Sequence, residues 1–254
     1  MNSILQEIFK RGEVIDRQGK IRKLNSHISQ DAGEWLQQLI RKHKPQRVLE
    51  VGCAYGISSL YIAEALKDIP GARHLILDPY QNDPAVWDGI GLKNLEKSGY
   101  RDLVDFMETP SEIGLPKLLE EHVKVDFIFL DGFHTFDHTA LDFFYSHRLL
   151  NVNGILVFDD VQMPAVRKVV RMALSFGCYR VMGGCRESST VARRFFNAFK
   201  STVGPVMKIF GKWADEIFHP EFLGSDVGKK INHSLTALIK TQEDRRAWDW
   251  FHDF

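Results

Sequence analysis

The chain has 254 residues, 44% hydrophobic and 26% charged, a balance that suits a globular protein with a sizeable core and argues against disorder. Thirty-three Lys and Arg residues offset 33 Asp and Glu, so no overall field draws the chain towards nucleic acid or anionic lipid. No apolar run approaches the roughly 20 residues that span a bilayer, and the opening MNSILQEIFKRGEVIDRQGK lacks the apolar core and small-residue cleavage site of a secretory signal.

Residues 1–46 carry a short helix, a hairpin-like EVIDRQGKIRKL and a helix DAGEWLQQLIRKH with Trp35 and Leu39 on one face. They are read as an N-terminal flap ahead of a main domain at 47–254. From residue 47 apolar strands alternate with helical patterns, which predicts an α/β fold, a mainly parallel sheet covered on both faces. The predicted strands are RVLEV (47–51), HLILD (74–78), LVDFME (103–108), VDFIFLD (125–131), GILVFDD (154–160) and a pair near 178–183 and 235–240. Between them SSLYIAEALKD, DGIGLKNLEKSG, PKLLEEH, TFDHTALDFFYSHRLL and MPAVRKVVRMALSFG show helical spacing. Breaks at Ser98-Gly99, Asn153-Gly154 and Phe176-Gly177 close three of these helices. Residues 186–233, rich in Arg, Lys, Phe and Trp, form an irregular helical insertion, read as a lid or a dimer contact. Cys53, Cys178 and Cys185 cannot all pair within one chain and lack metal-ligand spacing, so reduced thiols and a cytoplasmic setting are expected.

The segment VLEVGCAYGISSLYIAEAL sets Glu50 near the end of a strand, then Gly52, Cys53, Ala54, Tyr55 and Gly56, then a helix opening near Ser58 and Ser59. Glycine lets the backbone turn and approach a ligand, and the free N–H groups of a helix start suit a carboxylate. The spacing is neither the dinucleotide G-x-G-x-x-G nor the phosphate-cradling G-x-x-x-x-G-K-[ST]. An acidic residue in this turn repels pyrophosphate but accepts from an ammonium group. Asp78 ends the next strand, where a carboxylate can accept from two ribose hydroxyls. Together these features suit a nucleoside that carries an amino acid.

The run E-V-G-C-A-Y-G-I-S-S, then L-D-P-Y-Q, F-L-D-G-F-H and G-I-L-V-F-D-D, resembles the class I S-adenosylmethionine-dependent methyltransferases. Within them it is most similar to the small-molecule O-methyltransferase and cephalosporin-hydroxylase-like branch. The resemblance implies a Rossmann-like, doubly wound, seven-stranded mixed sheet whose last strand is antiparallel. It also implies that Glu50 and Gly52 to Ser59 hold the methionine portion of S-adenosyl-L-methionine, with Asp78 on the ribose, Ser111 near adenine and Asp131 also bordering the cofactor.

Asp131 ends the fourth strand and Asp159-Asp160 the fifth, at one rim. Three converging carboxylates repel one another in a partly desolvated site, and a hard divalent cation, Mg2+ or a similar ion, relieves that cost. Asp131, Asp159 and Asp160 are also the positions at which family members resembling catechol and macrocin O-methyltransferases hold a metal. His134, three residues past Asp131, is the candidate general base, because imidazole titrates near neutral pH. Asp137 and His138 are assigned to the following helix as solvated or structural residues.

The expected activity is metal-assisted O-methylation of a small-molecule hydroxyl, with a homodimer as a secondary expectation and no nucleic-acid or membrane partner. Two other readings are a cephalosporin-hydroxylase-like metal-dependent enzyme on the same fold and a non-catalytic nucleoside-binding protein.

Overall fold

Alternation of burial along the strands builds the sheet. In the run Val125–Leu130, Phe127 and Phe129 face one layer of core and Ile128 and Leu130 the other, which explains why the segment is apolar at nearly every position. The structure, a computed structural model, describes residues 2–185, 231 and 233–252. The expected 186–233 insertion therefore lies almost wholly outside the described residues, and the lid and dimer-contact readings with it.

In chain order the elements are α1 (Ser3–Arg11), β1 (Glu13–Ile15), β2 (Ile21–Lys23), α2 (Gln30–His43), β3 (Arg47–Val51), α3 (Ile57–Leu66), β4 (Arg73–Leu77), α4 (Ile90–Lys97), β5 (Val104–Met107), α5 (Ser111–Glu120), β6 (Val125–Leu130), α6 (Phe136–Leu149), β7 (Leu150–Phe158), α7 (Pro164–Ser175), β8 (Tyr179–Cys185) and β9 (Leu235–Lys240). β1 and β2 form an antiparallel hairpin. The other seven strands form one sheet in the order β5-β4-β3-β6-β7-β9-β8. Within it β9 runs antiparallel to both neighbours, β7 and β8, and the remaining pairings are parallel. This is the seven-stranded mixed sheet with an antiparallel last strand that the sequence led us to expect.

The first 46 residues share a core with the sheet domain. Leu5, Ile8, Val14, Leu36 and Ile40 belong to the same buried cluster as Leu60, Tyr61 and Phe127. Helix α3 is buried on every side, between the sheet and α2. The two helices approach closely at Gly33, where a Cβ would stand 2.1 Å from the Tyr61 ring.

Two boundaries differ from the predicted ones by four residues or more. Helix α5 starts at Ser111, before Pro116, because burial of Leu115 and Leu118 holds the helix across a proline expected to begin it. Strand β7 starts at Leu150 rather than Gly154: the chain passes straight from α6 into the strand, and the irregularity sits inside it, with Asn153 in the left-handed region at φ 67. No helix among the described residues is long and apolar enough to cross a membrane.

Candidate active site

Every strand that points at the site is extended by one rung of backbone hydrogen bonding. Asp78 N donates to Met107 O (3.2 Å), Gly52 N to Leu77 O (2.8 Å), Asp131 N to Val51 O (2.9 Å) and Asp159 N to Leu130 O (3.0 Å). Asp78, Gly52, Asp131 and Asp159 thus each sit at the first position past their strand, fixed by the neighbouring strand's last carbonyl. The loops so placed surround a pocket of about 640 Å³ at the carboxyl ends of the parallel strands, where open α/β sheets bind ligands.

One half of the pocket is the turn from β3 to α3. Gly52 has φ 92, and a Cβ there would lie 2.1 Å from the Asp131 carbonyl oxygen. Gly56 has φ 76 and packs on Gly91 of α4, where an added Cβ would meet the Gly91 Cα at 2.9 Å. Between them Ala54 is left-handed at φ 46, a conformation that costs a residue with a Cβ about 1–2 kcal/mol. Asp78 compensates: its Oδ2 accepts from Cys53 N and Ala54 N, both at 3.0 Å, and its Oδ1 accepts from Tyr80 N at 2.8 Å.

Gly52, Cys53, Ala54, Tyr55, Ser58, Asp78, Ser111 and Asp131 all line the pocket. Glu50, Gly56 and Ser59 lie behind it. Strand alternation turns Glu50 to the α3 side of the sheet, where it is wholly buried. Ser58 Oγ donates to its Oε1 at 2.5 Å and Ser59 Oγ to its Oε2 at 2.7 Å. His74 Nε2 stands 2.9 Å from the same Oε2, without hydrogen-bond alignment. Glu50 therefore braces the loop from beneath, while Ser58 lines the pocket. Burial, reinforced by Glu50 and Asp78, pushes the Cys53 thiol well up, so it stays neutral.

The other half is acidic. Single donor atoms of Asp131, His134 and Asp159 lie within 4.8 Å of one another. Burial first, then the Asp159 carboxylate and a hydrogen bond with it, hold the Asp131 carboxyl well above its ordinary range, with Glu50 and Asp160 adding to the effect. Burial lowers His134, opposed by Asp160, which keeps the ring neutral near pH 7. His134 Nε2 is shielded from solvent and makes no hydrogen bond. Two carboxylates and a neutral imidazole whose Nε2 is buried and makes no hydrogen bond are a donor set that fits a divalent cation.

Asp160 also borders the pocket, but it stands apart from this tight group. Its backbone is left-handed at φ 51, and its Oδ1 accepts from Gln162 Nε2 at 2.5 Å. The structure brings together Asp131 and Asp159 as the sequence led us to expect, with His134 in the place expected of Asp160. His138, assigned to the following helix as a solvated or structural residue, lies in α6 and also reaches the pocket wall, with Nδ1 2.8 Å from Thr135 Oγ1 and its ring against Phe133. Asp137 points to solvent.

Several residues that sequence reasoning missed hold these loops. Gln81, fully buried, donates from Nε2 to Ala54 O (2.9 Å) and accepts at Oε1 from Gly91 N (2.9 Å). Asn94 Nδ2 donates to Tyr55 O at 3.0 Å. Tyr55 OH donates to Asn25 Oδ1 at 3.0 Å, and Trp87 meets the Tyr55 ring edge-on at 5.1 Å. Arg22 ties the hairpin to the same wall by donating to Val86 O and Pro84 O at 2.8 and 2.9 Å. The signal available for these residues was an amide within L-D-P-Y-Q and polar residues on otherwise apolar helix faces.

A family model described as a methyltransferase domain matches residues 49–161. Catechol O-methyltransferase B of Danio rerio is 30% identical over 174 residues, covering 65% of this chain and 62% of that protein. A transmembrane O-methyltransferase homolog of Mus musculus is 28% identical over 158 residues, 61% of this chain and 59% of the relative. The chain thus spans about three-fifths of the length of these relatives. The O-methyltransferase of Bacillus cereus, solved in complex with SAH, superimposes with a TM-score of 0.57 at 19% identity, over 72% of this chain and 83% of that one, a likeness of fold.

Proposed function

We propose that this chain, which belongs by fold and matched domain to the class I S-adenosylmethionine-dependent methyltransferases, transfers a methyl group from S-adenosyl-L-methionine to a hydroxyl of a small molecule. The single observation that carries this reading is the meeting of two half-sites in one pocket, a glycine turn held by Asp78 and a cation-fitting cluster built on Asp131.

In this reading the β3–α3 turn and the start of α3 at Ile57 and Ser58 flank the methionine end of the cofactor, and the loops carrying Asp78 and Ser111 flank its nucleoside. The reaction is in-line: the sulfonium S–CH3 bond breaks as the O–CH3 bond forms, the acceptor proton leaves, and S-adenosylhomocysteine remains. Most of the acceleration comes from positioning. Asp131 and Asp159, together with Asp160 or His134, would hold Mg2+ or a related divalent ion. Such an ion supplies Lewis acidity, gripping acceptor oxygens and lowering the pKa of the reacting hydroxyl. His134, neutral and facing the cluster, offers a lone pair either to a proton or to the ion. Asn25, Trp87 and Tyr55 close the cofactor side against water, which strengthens the fixed dipoles of the turn.

The buried free thiols of Cys53 and Cys178 suit a reducing, cytoplasmic setting for this chemistry. The test is mass spectrometry of the purified protein with S-adenosylmethionine, a divalent ion and a panel of aromatic and sugar diols. The expected product is heavier by one methylene. Absence of any thermal stabilisation by saturating S-adenosylhomocysteine would refute the reading.

A further inference from the structure

Building on that reading, we propose that His134 binds the divalent ion directly through Nε2, rather than taking the acceptor proton, and that the site therefore prefers a borderline transition ion such as Mn2+, Co2+ or Zn2+ to Mg2+. Spacing is the first argument. His134 Nε2 lies 3.6 Å from Asp131 Oδ1 and 3.9 Å from Asp160 Oδ2. Both separations are too long for hydrogen bonds, which end near roughly 3.2 Å. The Asp131 separation lies between those of cis and trans ligands on one ion: with metal–ligand distances of about 2.1 Å, cis ligands stand about 3.0–3.4 Å apart and trans ligands about 4.2 Å.

Direction is the second argument. A general base has to turn its lone pair towards the acceptor hydroxyl, whereas Nε2 is shielded from solvent, bonded to nothing and turned to the carboxylates. The short loop explains this. Gly132 lets the chain turn directly after Asp131, with Val51 Cγ1 and Asp142 Oδ2 standing 3.1 and 3.3 Å from where its Cβ would be. The carboxylate and the imidazole three residues later thereby face one another.

Asp160 supplies the third argument, since one of its oxygens already accepts from Gln162 Nε2. Its remaining oxygen is placed to orient groups around the ion rather than to complete the set. The resulting donor set, two carboxylates and one imidazole, is softer than three carboxylates. Imidazole suits Zn2+ and its neighbours, whereas Mg2+ favours oxygen alone.

The experiment is calorimetric titration of the metal-free protein with Mg2+, Mn2+ and Zn2+, for wild type, His134→Ala and His134→Asn. S-adenosylhomocysteine-induced thermal shifts serve as the check on folding. Wild type should bind Mn2+ and Zn2+ at least tenfold more tightly than Mg2+. Both variants should lose tenfold or more in Mn2+ and Zn2+ affinity and change little towards Mg2+. Ring 15N spectra of wild type give a readout that needs no stable variant: the His134 Nε2 signal should move on addition of Zn2+. Unchanged metal affinities in the variants, or an unmoved His134 signal, would overturn the ligand role while leaving the methyltransferase reading standing. A wild type that binds no divalent ion, yet is stabilised by S-adenosylhomocysteine, would overturn this inference and the metal half of that reading together.

Discussion

Gly52→Ala puts a single methyl group where the two half-sites touch. The new Cβ would stand 2.1 Å from the Asp131 carbonyl oxygen, and an ordinary contact begins near 3.4 Å, so the two loops must separate by more than an ångström. The residue must also keep φ 92, which costs about 1–2 kcal/mol for a residue with a Cβ. Forcing apart packed backbone adds about 1–3 kcal/mol, for a total of roughly 2–5 kcal/mol. Gly177→Ala is the control: Gly177 also has positive φ, at 73, but nothing lies within 4 Å of its would-be Cβ, so it loses the conformational part alone. Urea unfolding of both variants should show Gly52→Ala the less stable by about 1–3 kcal/mol. Isothermal titration with S-adenosylhomocysteine should show roughly 10–100-fold weaker binding for Gly52→Ala at about 1.4 kcal/mol per tenfold. Equal stability of the two variants, with unaltered cofactor affinity in Gly52→Ala, would refute the idea that this contact sets the pocket.

Asp78→Asn leaves an amide where a carboxylate accepts from three backbone N–H groups, so one donor faces another. S-adenosylhomocysteine affinity should fall at least tenfold by titration, in line with about 1–3 kcal/mol for an unsatisfied buried group. Asp131→Asn and Asp159→Asn are each expected to abolish methyl transfer by mass spectrometry while cofactor-induced thermal shifts stay near wild type; near-normal turnover of either in excess chelator would exclude the metal role. Away from the site, burial and then Lys240 hold the buried His147 at about 4, below its ordinary 6.5, despite opposition from Asp244. A depressed histidine pKa means that the fold prefers the neutral ring, so its contribution is intact above about pH 6.5 and is lost as pH falls towards 4, up to about 3 kcal/mol. Denaturant unfolding across that window should be flatter for His147→Gln, and an identical pH profile for both proteins would contradict the assignment.

The sheet was legible because burial on both faces writes itself as unbroken apolar runs, and strand tips announce themselves by an abrupt acid or glycine. Asp78, Asp131 and Asp159 were found that way, each one position past its strand. What lay beyond reach was orientation. Glu50 and Asp78 read alike, as acids near strand ends in successive units. The first, still inside its strand, turns under α3 to accept from Ser58 and Ser59, and the second projects over the glycine turn. That His134 stands closer to the Asp131–Asp159 pair than Asp160 does was hidden for a similar reason. Local spacing fixed how far each lies from Asp131, while the left-handed turn at Asp160 and its bond to Gln162 depend on the folded loop. Gly52 is expected from sequence to make room for a ligand, and the space is filled by another strand's carbonyl. Gln81 and Asn94 bond to backbone groups of the β3–α3 loop, remote in sequence, so composition carried almost no trace of them.

Those backbone bonds also bear on why two chemically different half-sites coexist. The rungs from Asp78 N to Met107 O, Gly52 N to Leu77 O, Asp131 N to Val51 O and Asp159 N to Leu130 O cross the sheet in sequence, so each tip is fixed by its neighbour. In the proposed reaction a cofactor at the first two tips and an ion at the last two would thereby be placed on one rigid edge. Methyl transfer in line demands such registry, because the acceptor oxygen and the sulfonium must meet within a few tenths of an ångström of the reactive distance. Side chains on mobile loops would lose this alignment with each fluctuation. Residues one rung past a buried parallel strand move only if the sheet does. The acids are therefore at strand ends because that is where backbone order reaches furthest into the solvent-facing pocket, and the apolar strands behind them are part of the same device.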